Sequence, residues 1–152
     1  MTCIAVASDH GAIPLKNALL DHLKKRGFFC LDLGTESESV SVDYPDFSDK
    51  VVSAIRSKKA DLGILCCGTG IGISIRANRY MGIRAAVIHD AYTAEMAKAH
   101  NNANILCLGG RTVPSLEEAC RWVDVWLETS FEGGRHQRRL DKLDATLDNH
   151  PL

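Results

Sequence analysis

The chain has 152 residues, 45% hydrophobic, 24% charged and 6% aromatic, which is one domain with material for a real core. Its formal net charge of −1 provides no global field for nucleic acid or an anionic membrane surface. No run approaches the ~20 apolar residues of a membrane span, and Met1-Thr2-Cys3-Ile4-Ala5-Val6 lacks the charge and length of a leader peptide, so the expected setting is cytoplasmic.

Short apolar runs alternate with amphipathic stretches along the chain, the pattern of βαβ units around a parallel sheet. A strand at Cys3-Ile4-Ala5-Val6-Ala7 leads through Ser8-Asp9-His10-Gly11 into a helix over 13–25. Pro14 suits the first turn of that helix, Leu19, Leu20 and Leu23 stripe it, and Gly27 follows its end. A second strand spans 28–33 and a helix 46–58. The third strand, Leu62-Gly63-Ile64-Leu65-Cys66, runs through glycines into a helix over 71–80. The fourth strand covers 83–88, and Asp90 caps a helix over 91–101 that closes in His100-Asn101-Asn102. The fifth covers 104–108 and ends in Gly109-Gly110-Arg111, before a helix over 115–129. Mostly unbroken apolar strands fit a sheet covered on both faces. The expected architecture is a single-domain, Rossmann-like three-layer α/β sandwich over residues 1–152, with a five-stranded parallel sheet and an extra C-terminal helix.

That last helix, at about 135–149, follows Gly133-Gly134 and carries only a thin stripe of Leu140, Leu143 and Leu147. So narrow a stripe points to a partner subunit as its target. Arg135, Arg138 and Arg139 crowd its first turns, where the helix dipole disfavours cations by ~0.3–1 kcal/mol each. An anionic ligand there would reverse the sign.

Six cysteines stand at 3, 30, 66, 67, 107 and 120. Cys3, Cys30 and Cys107 lie inside apolar runs, no pair has C-x-x-C spacing, and a bond between Cys66 and Cys67 would be strained. All six read as thiols.

The most informative segment is Leu65-Cys66-Cys67-Gly68-Thr69-Gly70-Ile71-Gly72-Ile73-Ser74. Three glycines between a strand and a helix let backbone amides converge on an anion. A cysteine at such a junction lies beside an anion nest and a helix N-terminus, and both favour thiolate over thiol. Successive strand residues face opposite sides, so one of Cys66 and Cys67 packs and the other faces the crevice; Cys67, touching the loop, is the better candidate.

In an open parallel sheet, ligands bind beyond the carboxyl ends of the strands. The polar residues at those ends have plain structural readings too. Asp9 also reads as a helix cap, His100 as a residue favoured at a helix C-terminus, and Arg111 as a solvated loop charge. Taken together, a thiolate, a histidine, an anion nest and several arginines fit proton transfer beside a carbonyl. A base removes a carbon-bound proton, the nest stabilises an enediolate, and arginines hold a remote phosphate.

The chain resembles the sugar-phosphate isomerase family that contains the B-type ribose-5-phosphate isomerases and the galactose-6-phosphate isomerase subunits. The resemblance rests on Ala7-Ser8-Asp9-His10, Asp32-Leu33-Gly34-Thr35, Asp43-Tyr44-Pro45, Cys67 to Ser74, Ala77-Asn78, His100-Asn101-Asn102-Ala103-Asn104, and Glu132-Gly133-Gly134-Arg135-His136 with Arg139. It implies aldose–ketose isomerisation of ribose 5-phosphate and ribulose 5-phosphate, in the pentose phosphate pathway, without metal or cofactor. Carried over by position, it implies that Cys67 shuttles the proton, His100 opens the furanose ring and Thr69 assists. The amides of Gly68, Thr69, Gly70, Ile71 and Gly72, with Asn101, would hold the enediolate. Asp9 would bind sugar hydroxyls, and His10, Arg111, Arg135 and Arg139 would gather around the phosphate. It further implies a homodimer, or a dimer of dimers, whose sites draw loops from one subunit and His100, Asn101 and the arginines largely from the other. Some relatives use a glutamate a few residues downstream as base; Ile75 and Arg76 stand in that region here, so Cys67 has no rival.

Another phosphorylated aldose (allose 6-phosphate, galactose 6-phosphate or a tetrose phosphate) is an alternative substrate, and a non-catalytic sugar-phosphate sensor an alternative function. A dinucleotide-binding oxidoreductase fits less well, because the loop reads G-x-G-x-G and follows the third strand. A cysteine phosphatase wants an arginine closing the loop, where this chain has Ile73 and Ser74.

Overall fold

The computed structural model describes residues 2–145. Its elements in chain order are β1 (Cys3–Ser8), a 3-10 turn (His10–Ala12), α1 (Ile13–Lys25), β2 (Phe29–Asp32), α2 (Tyr44–Arg56) and β3 (Leu62–Cys67). They continue with α3 (Ile71–Ala77), β4 (Ala85–Val87), α4 (Ala91–Ala99), β5 (Ile105–Gly109), α5 (Leu116–Glu128) and α6 (Arg135–Leu143). All five strands are parallel, in the order β2-β1-β3-β5-β4. This is the expected three-layer α/β sandwich.

Strand alternation divides the core in two. Ile4, Val6, Ile64, Cys66, Leu106 and Leu108 point to one face, where α1, α4 and α5 bring Leu15, Leu19, Leu23, Ala94, Trp122 and Trp126. Ala5, Ala7, Leu65, Cys67, Ile105 and Cys107 point to the other, against Phe47, Val51 and Val52 of α2 and Ile73 and Ala77 of α3. Full burial of each large side chain contributes about 1.5–3 kcal/mol, so both helix layers are held by many such contacts. Trp126 adds a hydrogen bond from its Nε1 to the Ala103 carbonyl at 3.2 Å.

Several boundaries differ from the sequence expectation for identifiable reasons. α2 starts earlier, because Pro45 falls within its first turn, where a missing N–H costs nothing. α3 stops at Ala77, because the Asn78 side chain turns to β4: its amide donates to the Ala85 carbonyl and its oxygen accepts from the Ala85 N–H, each at 2.8 Å. β4 is short, since the Arg84 N–H is taken by the Asn104 side chain at 2.9 Å. Asp90 caps α4 as expected, accepting from the Thr93 N–H at 2.7 Å. In β2, Asp32 receives the buried Lys16 ammonium through both oxygens, at 2.8 and 2.9 Å, and also the Gly34 N–H, at 3.0 Å. That pairing fixes the start of the long segment between β2 and α2.

α6 docks on its own chain more than its thin stripe suggested: Leu140 and His136 are buried, while Leu143 stays exposed. The end of the expected 135–149 helix, with Leu147, lies outside the described residues. Among the described residues no helix is long and apolar enough to cross a membrane.

Candidate active site

β3 delivers Cys67 to the carboxyl edge of the sheet, and the chain then reverses through Gly68, Thr69 and Gly70 into α3. Gly70 takes φ of +78°, and a Cβ on it would stand 3.0 Å from the Leu108 backbone. A side chain there would be strained in conformation and crowded in space. A Cβ on Gly109 would stand 2.7 Å from Thr69, so glycine at the end of β5 lets the loop fold across it. The Gly70 N–H donates to Cys67 Sγ at 3.1 Å. The positive end of a peptide dipole thus rests on sulfur, where it accommodates negative charge. The amides of Gly68 and Thr69 donate to no acceptor among the described residues. Thr69 Oγ1 accepts from the Ile71 N–H at 3.3 Å, which leaves its own proton free to donate.

Cys67 is 4% exposed, on the face lined by α2 and α3, so its sulfur is largely screened from bulk water. Cys66 points the other way and is wholly buried; burial, then the neighbouring Cys67 and Asp9, push its thiol far above the ordinary cysteine range. It stays a protonated packing residue.

Three further groups converge on this loop. The Arg111 guanidinium lies along Gly68, since a Cβ there would be 3.2 Å from Nη1 and 3.3 Å from Cζ, and the Arg111 N–H donates to the Gly68 carbonyl at 3.0 Å. Asp9 caps the 3-10 turn, accepting from the Gly11 N–H at 2.9 Å through Oδ1. The cap and ligand readings of Asp9 are compatible, because its second oxygen remains available. His10 Nδ1 accepts from the Val42 N–H at 3.2 Å, so the ring carries its proton on Nε2 and pins the segment before α2. The Tyr44 ring packs where a Cβ of Gly72 would be, 2.6 Å from Cζ. Sequence reasoning gave Tyr44 no role; its signal was the glycine opposite it.

The remaining candidates assemble elsewhere. α4 runs antiparallel to the strands it connects, so its C-cap His100, with Asn101, lies at the amino edge of the sheet, opposite Cys67. The Glu132 N–H bonds the Ala99 carbonyl at 3.0 Å and brings the start of α6 beside His100. His100 and His136 stack with centroids 4.2 Å apart and planes 9° from parallel. Glu132 Oε2 is 3.2 Å from His136 Nε2 and 3.9 Å from His100 Nε2. Arg135 Nε donates to His136 Nε2 at 3.3 Å. Arg139 adds positive charge near the same ring, which also has its pKa lowered by burial first and His100 second. Donor atoms of His100, Glu132 and His136 lie within 4.8 Å of one another. Parallel rings, however, direct their in-plane lone pairs side by side, and Arg135 occupies one of them, so the trio is poorly formed for a metal ion. Asn101 also has its carbonyl held by Arg84 Nε at 3.0 Å. The structure therefore joins Asp9, His10, Cys67 to Gly72 and Arg111 at one edge, and His100, Asn101, Arg135 and Arg139 at the other.

The Ribose/Galactose Isomerase family model matches residues 4–143. Ribose-5-phosphate isomerase B of Escherichia coli K12 is 44% identical over 145 residues, covering 95% of this chain and 96% of that one. The crystal structure of a Thermotoga maritima ribose 5-phosphate isomerase is similar with a TM-score of 0.91 and 52% identity, covering 94% and 97%. Ribose-5-phosphate isomerase B of Mycoplasma genitalium, solved with bound ribulose 5-phosphate, gives 0.89 and 43%, covering 94% of both chains.

Proposed function

The chain belongs to the ribose/galactose isomerase family and is an aldose–ketose isomerase; from that premise we propose that it interconverts D-ribose 5-phosphate and D-ribulose 5-phosphate, a step of the pentose phosphate pathway, with Cys67 as base. The observation that carries this reading is the Gly70 N–H on Cys67 Sγ, with uncommitted loop amides beside it. In the open-chain aldose, the Cys67 thiolate removes the C2 proton, and electrons move onto the C1 carbonyl oxygen to give an enediolate. The amides of Gly68 to Gly72 and the Asn101 side chain donate to the developing charge, a stabilisation often worth more than any other single one. The C2 hydroxyl proton then passes to O1, and the thiol returns its own proton to C1, yielding the ketose with its carbonyl at C2. Thr69 Oγ1 donates near O1, and Asp9 receives sugar hydroxyls.

Ribose 5-phosphate is mostly a furanose, so a proton must first leave the C1 hydroxyl and another reach the ring oxygen; His100 takes that role. His10, Arg111, Arg135 and Arg139 hold the phosphate, whose binding energy orients C1 and C2. This division of labour requires a second copy of the chain, which supplies His100, Asn101, Arg135 and Arg139 to the first copy's cleft. Two observations support it. The two halves of the machinery lie at opposite edges of one sheet. Beside the anion loop, α3 also exposes Ile71 and Ile75, 52% and 61% accessible and one turn apart, an apolar face suited to a partner.

The test is incubation of the chelator-treated protein with ribose 5-phosphate, allose 6-phosphate, galactose 6-phosphate and erythrose 4-phosphate. Ketose appears fastest per bound substrate from ribose 5-phosphate, without added nicotinamide and without released phosphate. A higher kcat/KM for another sugar overturns the substrate assignment. Binding of all four without turnover overturns catalysis and identifies a sensor.

A further inference from the structure

His136 and Glu132 stand outside the proton-transfer steps, yet both are built against His100. His136 is 4% exposed, and its ring covers one face of His100 at 4.2 Å. Its Nε2 has two claimants. It accepts from Arg135 Nε when neutral and donates to Glu132 when protonated. Burial first, then His100 and Arg135, lower its pKa, with Glu132 opposing, which favours the neutral ring that accepts from Arg135. Glu132 is then left facing the edge of His100. Other charged groups at this edge are turned away: Arg84 is occupied by the Asn101 and Asn102 carbonyls and by Asp144. A histidine at a helix C-terminus, held by backbone alone, keeps two free side-chain torsions. A buried ring stacked on one face removes most of that freedom.

We propose that His136 is a positioning residue for sugar-ring opening: its buried imidazole stacks on His100 and fixes that ring's plane, with Glu132 bounding its edge. The inference rests on the assignment of ring opening to His100. It deepens that assignment by separating the group that moves protons from the groups that aim it.

The two directions of the reaction provide the test. Ribose 5-phosphate enters as a ring, whereas ribulose 5-phosphate is acyclic, because its O5 carries the phosphate and cannot close a five-membered ring. Damage confined to ring opening therefore slows consumption of the aldose and spares consumption of the ketose. Initial rates at saturating substrate are measured both ways for wild type, His100→Ala, His136→Ala, His136→Phe and Glu132→Gln. His136→Ala lowers kcat from the aldose about tenfold or more, within the range for a misaligned acid–base group, and changes kcat from the ketose less than about twofold. His136→Phe, which restores a stacking ring without a titrating nitrogen, recovers most of the loss, and Glu132→Gln shows the same asymmetry in weaker form. Equal losses in both directions for His136→Ala, or His136→Phe no better than His136→Ala, overturn the proposal while His100→Ala remains asymmetric. A symmetric loss in His100→Ala instead removes ring opening from His100 and takes the positioning role with it.

Discussion

Cys66 and Cys67 are consecutive residues of β3 whose thiols face opposite layers, one packed among Val6, Ile64 and Leu106, the other turned to the loop where Gly70 donates to it at 3.1 Å. Among the described residues, only the second has a hydrogen-bond donor for its sulfur. Cys67→Ala should lower turnover by about 10² to 10⁴, the usual range for loss of a general base, with sugar-phosphate affinity retained by calorimetry. Cys66→Ala should cost roughly 1–2 kcal/mol in denaturant unfolding, as a small core truncation, and keep kcat near wild type. A folded, inactive Cys66→Ala beside an active Cys67→Ala would reverse the assignment.

Arg135 and Arg139 are predicted to act on phosphate. Either change to alanine should raise KM for ribose 5-phosphate by tenfold or more, since a charged hydrogen bond contributes about 1.5–3 kcal/mol. kcat should fall as well, because phosphate binding aligns the reacting carbons. Kinetics indistinguishable from wild type in both variants would place these side chains outside the site.

Complementation tests the sharing of sites between copies. Cys67→Ala and His100→Ala are each expected to be defective alone. When they are unfolded together and refolded as a mixture, half the dimers are mixed and half the sites in those are intact. Activity should therefore return to about a quarter of wild type. If both groups of a site came from one chain, mixing would restore nothing.

Asp49 gives a pH-dependent prediction. Hydrogen bonds from Arg76, with burial opposing and Tyr80 assisting, hold its carboxyl below the usual carboxylate range. A carboxylate depressed in the folded state contributes stability that is complete above its unfolded pKa of about 3.9 and is lost as pH falls through the folded value. With 36% of the side chain exposed, solvent screening limits the contribution to about 1 kcal/mol or less. Urea unfolding should show Asp49→Asn less stable than wild type at neutral pH, with the gap closing in acid. A gap that persists unchanged well below pH 3 contradicts the ion-pair origin.

Much of this molecule was legible in its sequence for physical reasons. Apolar runs such as 62–66 read as doubly covered strands, and Gly68-Thr69-Gly70 as the turn into α3, with Gly70 at the crossing of β5 where φ is positive and a Cβ has no room. The start of α2 was missed because Pro45 reads as a breaker in a flat pattern, yet is harmless in a first turn. α3 was read as too long because nothing in the Asn78 neighbourhood announces that its side chain will bond Ala85 instead of continuing a helix face. Within the site, the loop and its thiol depend on local order and could be read directly. The stack of His136 on His100 depends on where α6 crosses α4, a tertiary relation that no local pattern encodes.

The Asn78 amide occupies both backbone groups of Ala85 on the outer rim of the sheet. At Ala85 that rim has no free carbonyl or amide to offer an added strand, which needs both in register. A strand approaching β4 would have to displace the Asn78 side chain before it could pair at Ala85.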